Sequence, residues 1–135
     1  ELLLSWGKQG TAPGEFALLH NVWVDKNSRV FICDRENDRI QIFDDNGDFL
    51  EEWTDVSKPG DLWIHDDLIY CVEQGGHGGV SIWTHAGEIV SRWKVDEGPG
   101  KTDLWDGHGI TVDSEGSIYV TEIGQAERVS KFVRI

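Results

Sequence analysis

One unit is written three times along this chain, and that repetition limits the folds open to it more than any other feature. The copies span residues 19–43, 59–83 and 107–132. Each opens on a short apolar alternation: Val22-Trp23-Val24, Leu62-Trp63-Ile64 and Ile110-Thr111-Val112. Polar residues then lead into a second stretch, Val30-Phe31-Ile32, Ile69-Tyr70-Cys71 and Ile118-Tyr119-Val120. An acid stands just beyond it in every copy, at Asp34, Glu73 and Glu122, and a third apolar stretch follows at 39–43, 80–83 and 128–132.

A fourth stretch ending in Trp lies between the units, as Phe49-Leu50-Glu51-Glu52-Trp53 and Ile89-Val90-Ser91-Arg92-Trp93. Leu2-Leu3-Leu4-Ser5-Trp6 has the same pattern ahead of the first unit. Four short strands in roughly 40–50 residues are the signature of a β-propeller blade. Asn46-Gly47 and Ala86-Gly87 supply Gly-containing turns for hairpins. A helical reading fails, because β-branched and aromatic residues alternate in runs of three to five between Gly and Asp.

The expectation is an all-β chain of three four-stranded propeller blades, half of a six-bladed ring. Blade 1 is expected at about 15–53, blade 2 at about 54–94 and blade 3 at about 104–135, the last taking its outer strand from elsewhere. Residues 1–7 read as the outer strand of a preceding or partner blade. An open arc exposes blade edges, so a second copy in a homodimer or a missing N-terminal half is expected to close the ring. Without an initiating Met, the chain reads as a fragment of something longer or as a processed product.

Composition narrows the function classes. Seven Trp and five Phe within 39% hydrophobic residues indicate a packed domain. Twenty-five acids against twelve Lys and Arg give a net charge of −13, which repels a phosphate backbone and argues against nucleic acid as partner. No stretch approaches the ~20 apolar residues of a membrane span, and Glu1-Leu2-Leu3-Leu4 is not a signal peptide. Cys33 and Cys71 are too few for a disulfide framework or a zinc cluster, and read as buried strand thiols.

The start of each innermost strand faces the central channel of a propeller. Two units place a histidine there, His20 and His108, each at the same offset ahead of its blade's acid, while the middle unit has Gly60. Such imidazoles either bond to neighbouring backbone or converge on a metal ion, whose ligands must come within about 2.0–2.1 Å. His65 and His85 fall in turns, and His77 falls in a Gly-rich loop without the strand–helix context of a phosphate cradle. Asp34, Glu73 and Glu122 recur in every blade, which favours a structural role such as pairing with Arg39 and Arg128. Arg35 does not recur, since Gln74 and Ile123 take its place, and it is a candidate clamp for an anion or carboxylate.

These units resemble NHL repeats. The run Leu19-His20-Asn21-Val22-Trp23-Val24-Asp25, with Cys33-Asp34-Arg35-Glu36-Asn37 and then Gly107-His108-Gly109-Ile110-Thr111-Val112-Asp113, is similar to the C-terminal half of peptidyl-α-hydroxyglycine α-amidating lyases. The resemblance implies a zinc-dependent peptidylamidoglycolate lyase with an incomplete active site in this chain. His20 and His108 would be two of three zinc ligands, and Arg35 the arginine that sets the peptide substrate and the catalytic tyrosine. The third histidine, the tyrosine and a second arginine belong to the family's other half. Gly109 stands where the family carries an acid of its calcium site, which argues against calcium. The alternative is a non-catalytic NHL propeller module that binds a protein or peptide in its channel or on its rim. A weaker option, a propeller lactonase, would need acidic metal ligands where this chain has His, Gly and His.

Overall fold

The computed structural model describes residues 1–75, 79–94, 107–124 and 126–133. A short parallel pair, β1 (Lys8–Gln9) and β2 (Glu15–Phe16), precedes three antiparallel sheets. The first contains β3 (Leu19–Val24), β4 (Val30–Asp34), β5 (Arg39–Phe43) and β6 (Phe49–Trp53). The second contains β7 (Pro59–His65), β8 (Leu68–Glu73), β9 (Gly79–Thr84) and β10 (Ile89–Lys94). The third contains β11 (Gly107–Val112), β12 (Ile118–Glu122) and β13 (Arg128–Phe132). Strands pair in chain order within each sheet, so each is an up-and-down blade. Among the described residues no helix is long and apolar enough to cross a membrane.

The sheets stack face to face, which explains the middle strands. Every residue of β4 and of β5 is buried, because a blade's middle strands are covered on both faces. Outer strands are wetter, and β6 carries exposed Glu52 beside buried Trp53. Between blades 1 and 2 the core holds Phe31, Cys33, Ile40, Leu62 and Cys71, with both thiols free. Between blades 2 and 3 it holds Tyr70, Val72, Val80, Ile110 and Val120. The innermost strand β7 lies against both β3 and β11, and Trp23 meets Trp63 across the first of these contacts, ring centroids 4.6 Å apart.

An aromatic pair ties each outer strand to the next blade. Trp53 of blade 1 stacks on Trp83 of blade 2 at 5.4 Å and 10°. Trp93 of blade 2 lies 5.7 Å from Phe132 of blade 3. Trp6 lies 5.9 Å from Phe43 of blade 1. A glycine makes room in two of these places. A Cβ on Gly87 would come 2.5 Å from the Trp53 indole nitrogen, and one on Gly47 would come 3.0 Å from Trp6, while both glycines hold φ near +80°. Residues 1–7 form no strand, and Leu2 and Leu3 are exposed. The strand pattern read at 2–6 forms no strand among the described residues.

A candidate binding site at the channel end

Each innermost strand is irregular at its channel end. Register shifts fall between Leu19 and Val22 in β3, between Pro59 and Asp61 in β7, and between Gly107 and Gly109 in β11. A bulge re-aims the side chains beside it. Here it turns His20, Asp61 and His108 toward one place. The imidazoles of His20 and His108 lie edge to face with centroids 4.8 Å apart, although β3 and β11 belong to blades 1 and 3. His20 Nδ1 donates to the Gly60 carbonyl at 2.5 Å. A carbonyl only accepts, so Nδ1 carries the proton and Nε2 of a neutral ring keeps its lone pair.

Asp61 is the member that the repeat comparison missed. It was hidden because the bulge at Gly60 moves the channel-facing position on by one residue. Its Oδ2 accepts the Ile110 N–H at 2.9 Å, across the blade boundary, and its Oδ1 accepts the Leu62 N–H at 2.9 Å. Burial pushes the Asp61 carboxyl above its ordinary value, outweighing those two N–H groups and the attraction of both imidazoles. A cation placed beside this carboxylate would relieve that penalty.

The recurring acids are locked into the blades. Asp34 is wholly buried and bonds to Arg39 Nε at 2.8 Å, to the Ala17 N–H at 2.7 Å and to Gln41 Nε2 at 3.0 Å. Glu122 bonds to Arg128 Nε at 2.9 Å. Glu73 accepts the Ser57 N–H at 2.9 Å and pairs with Arg92 Nε of β10 at 3.3 Å. Spacing pointed to Arg39 and Arg128 but not to Arg92, because blade 2 has Gly79 where the other blades carry arginine and draws its cation from the fourth strand instead.

The remaining candidates fall elsewhere. Arg35 opens a 3₁₀ turn, Arg35–Asn37, beyond β4, at the same end of blade 1 as His20, because Leu19 stands opposite Asp34. Its Nε lies 3.7 Å from Glu36 Oε1, and its side chain is about a quarter exposed (27%). His65 ends β7 and sits 3.6 Å from Asp66. His85 lies in the turn after β9, and its Nδ1 is 2.9 Å from Arg29 Nη2, which bridges blades 1 and 2. His77 lies outside the described residues.

Zinc can be tested against these residues. Among the described residues no group of three or more His, Cys, Asp or Glu is arranged to hold a metal ion. Two imidazoles approach each other beside the Asp61 carboxylate, each of whose oxygens accepts one backbone N–H group. Alone, these residues do not make the three-ligand set of a catalytic zinc.

No family model matches the chain. Human NHL repeat-containing protein 3 is 32% identical over a 143-residue alignment that covers 98% of this chain and 41% of that protein. Drosophila melanogaster protein brain tumor is 26% identical over 126 residues, 87% of this chain and 12% of that protein. The blades are NHL-type. Among solved structures, virginiamycin B lyase from Staphylococcus aureus superposes with a TM-score of 0.63 at 16% identity, over 84% of this chain and 40% of that one. A computationally designed protein gives 0.56 at 10% identity, over 84% and 64%. Likeness at such identities establishes the propeller fold alone. The NHL blades seen here span about two-fifths (41%) of the length of the human relative.

Proposed function

We propose that this NHL propeller segment is a binding module that takes a cationic segment of a protein or peptide at the channel end of its inner strands. The observation that carries the reading is the convergence of His20, Asp61 and His108 from three different blades at bulged strand ends. A half-buried carboxylate held above its ordinary pKa gains from a Lys or Arg partner, and the net charge of −13 draws cations toward the whole molecule. The buried acids are occupied in ion pairs, so they leave this end of the channel to supply recognition.

Fluorescence anisotropy tests this with labelled peptides of equal length, one rich in Lys and Arg and one rich in Asp and Glu. The basic peptide binds and the acidic one does not. Asp61→Asn weakens the basic peptide by about tenfold or more, the loss of one charge-assisted contact. Equal binding of both peptides, or no change in Asp61→Asn, contradicts the reading.

A second reading is the zinc-dependent peptidylamidoglycolate lyase, with His20 and His108 as ligands and Arg35 on the substrate. It is favoured by one observation: the Gly60 carbonyl fixes the His20 tautomer and leaves Nε2 with a lone pair, the arrangement of many metal-binding histidines. A further ligand and the base would have to come from another half-ring. Elemental analysis separates the readings. The binding module holds little zinc, whereas the lyase reading requires one zinc that is lost in His20→Ala, with glyoxylate released from a peptidyl-α-hydroxyglycine.

A further inference from the structure

We propose that the cation taken at the channel end is the guanidinium of an arginine and not the ammonium of a lysine, an inference that rests on the cationic-segment reading above. What carries it is a set of acceptors around Asp61 with lone pairs still to be filled. Each Asp61 oxygen accepts one backbone N–H at 2.9 Å, from Leu62 or from Ile110, and a carboxylate oxygen can accept two. His20 Nε2 keeps its lone pair, because Nδ1 carries the proton that is donated to the Gly60 carbonyl.

Two side-chain amides extend the set. Register places Asn21 in blade 1 where Asp61 stands in blade 2, each at the bulge of its inner strand. Asp61 Oδ2 takes the Ile110 N–H of the next blade. The corresponding group for Asn21 is the Leu62 N–H, and Asp61 Oδ1 already occupies it. Asn21 Oδ1 is buried with no hydrogen-bond partner among the described residues. Gln74, just beyond β8, lies over the same bulge, since a Cβ on Gly60 would come 3.1 Å from Gln74 Cδ. Its Oε1 is likewise buried and unpartnered among the described residues.

The number of acceptors separates the two cations. Both Asp61 oxygens, His20 Nε2, Asn21 Oδ1 and Gln74 Oε1 are more than the three N–H bonds an ammonium can donate. A guanidinium donates five from one plane, and its fork can engage both carboxylate oxygens at once. Buried acceptors left empty are costly, so the ligand that fills more of them is preferred. Charge is arranged to suit. Gln74 stands where blade 1 has Arg35, so a neutral acceptor and not a repelling cation overlies Gly60. Arg35 itself lies 3.7 Å from Glu36, which also pairs with Lys58 at 3.4 Å.

Fluorescence anisotropy on the full chain tests the proposal with labelled peptides that differ only in one cation. That residue is arginine, lysine or dimethylarginine, the last keeping the charge while blocking the fork of donors. The arginine peptide is expected to bind about tenfold or more tighter than the other two. Asn21→Ala and Gln74→Ala lower its affinity toward that of the lysine peptide and leave lysine binding unchanged, whereas Asp61→Asn weakens all three. Equal affinity for arginine and lysine, both weakened by Asp61→Asn, overturns the guanidinium assignment while the cationic reading stands. Dimethylarginine bound as tightly as arginine overturns it too, and binding of none of the three overturns both readings. The peptide series on the unaltered protein decides the matter even where a variant fails to fold.

Discussion

Trp53 stacks on Trp83 with ring planes 10° apart, and through this contact the outer strand of blade 1 grips blade 2. Both rings are almost wholly buried, at 6% and 1% exposure. Removing one leaves a void between blades that the stacked sheets cannot close. Trp53→Ala is therefore expected to lower stability by about 3–5 kcal/mol, read from the urea midpoint at unchanged slope.

Arg39 is the second fastener of blade 1. Its guanidinium holds Asp34 and also donates to Glu52 and to the Ala12 and Glu15 carbonyls, joining strand β6 and the segment before β3 to the middle of the sheet. Arg39→Ala leaves Asp34 buried with its charge uncompensated, a loss of about 3–5 kcal/mol. Arg39→Lys keeps the charge but not the fork of donors, and is expected to fall between the wild type and the alanine variant in the same denaturation series.

Close packing makes a third prediction. A Cβ on Gly107 would stand 2.4 Å from Val72 Cγ2 and 3.2 Å from Val120 Cγ1, so β11 approaches blade 2 closely only because this position has no side chain. Gly107→Ala is expected to cost about 1–3 kcal/mol through overpacking. A thermal midpoint equal to that of the wild type would show that the two blades are less closely engaged.

Acid should loosen the turn between β3 and β4. Burial disfavours ionisation of Asp25, but hydrogen bonds from the Arg29 backbone, the Arg29 guanidinium and the Asn27 N–H outweigh it and hold the carboxyl below its ordinary value. The folded pKa is depressed, so the stabilisation is present above the unfolded value near 3.8 and is lost as pH falls through the folded one. The stability–pH curve should drop more steeply below about pH 4 in the wild type than in Asp25→Asn.

The fold was largely legible because repetition and alternation report directly on strand pairing. Residues 39–43 and 128–132 were read as strands and are β5 and β13 with the same ends. The candidate site was less so. His20 and His108 stood out because both precede an acid by the same offset, and the structure brings their rings together. Asp61 did not stand out, since a bulge breaks the alternation on which the comparison relied. Arg92 was hidden for a related reason: its partner Glu73 lies on a strand two places away in the sheet, and no sequence period links them. The segment 2–6 carries a strand pattern but forms no strand among the described residues, because pairing depends on an edge and not on propensity alone.

The claim that the channel end is a recognition site is tested most directly by titrating a Lys- and Arg-rich peptide into isotope-labelled protein and following its resonances by NMR. The account predicts that the largest shifts fall on His20, Gly60, Asp61 and His108, which come from three blades, and that Asp61→Asn moves them to peptide concentrations about tenfold or more higher. Shifts confined to the outer strands β6 and β10, or none at all, would contradict it.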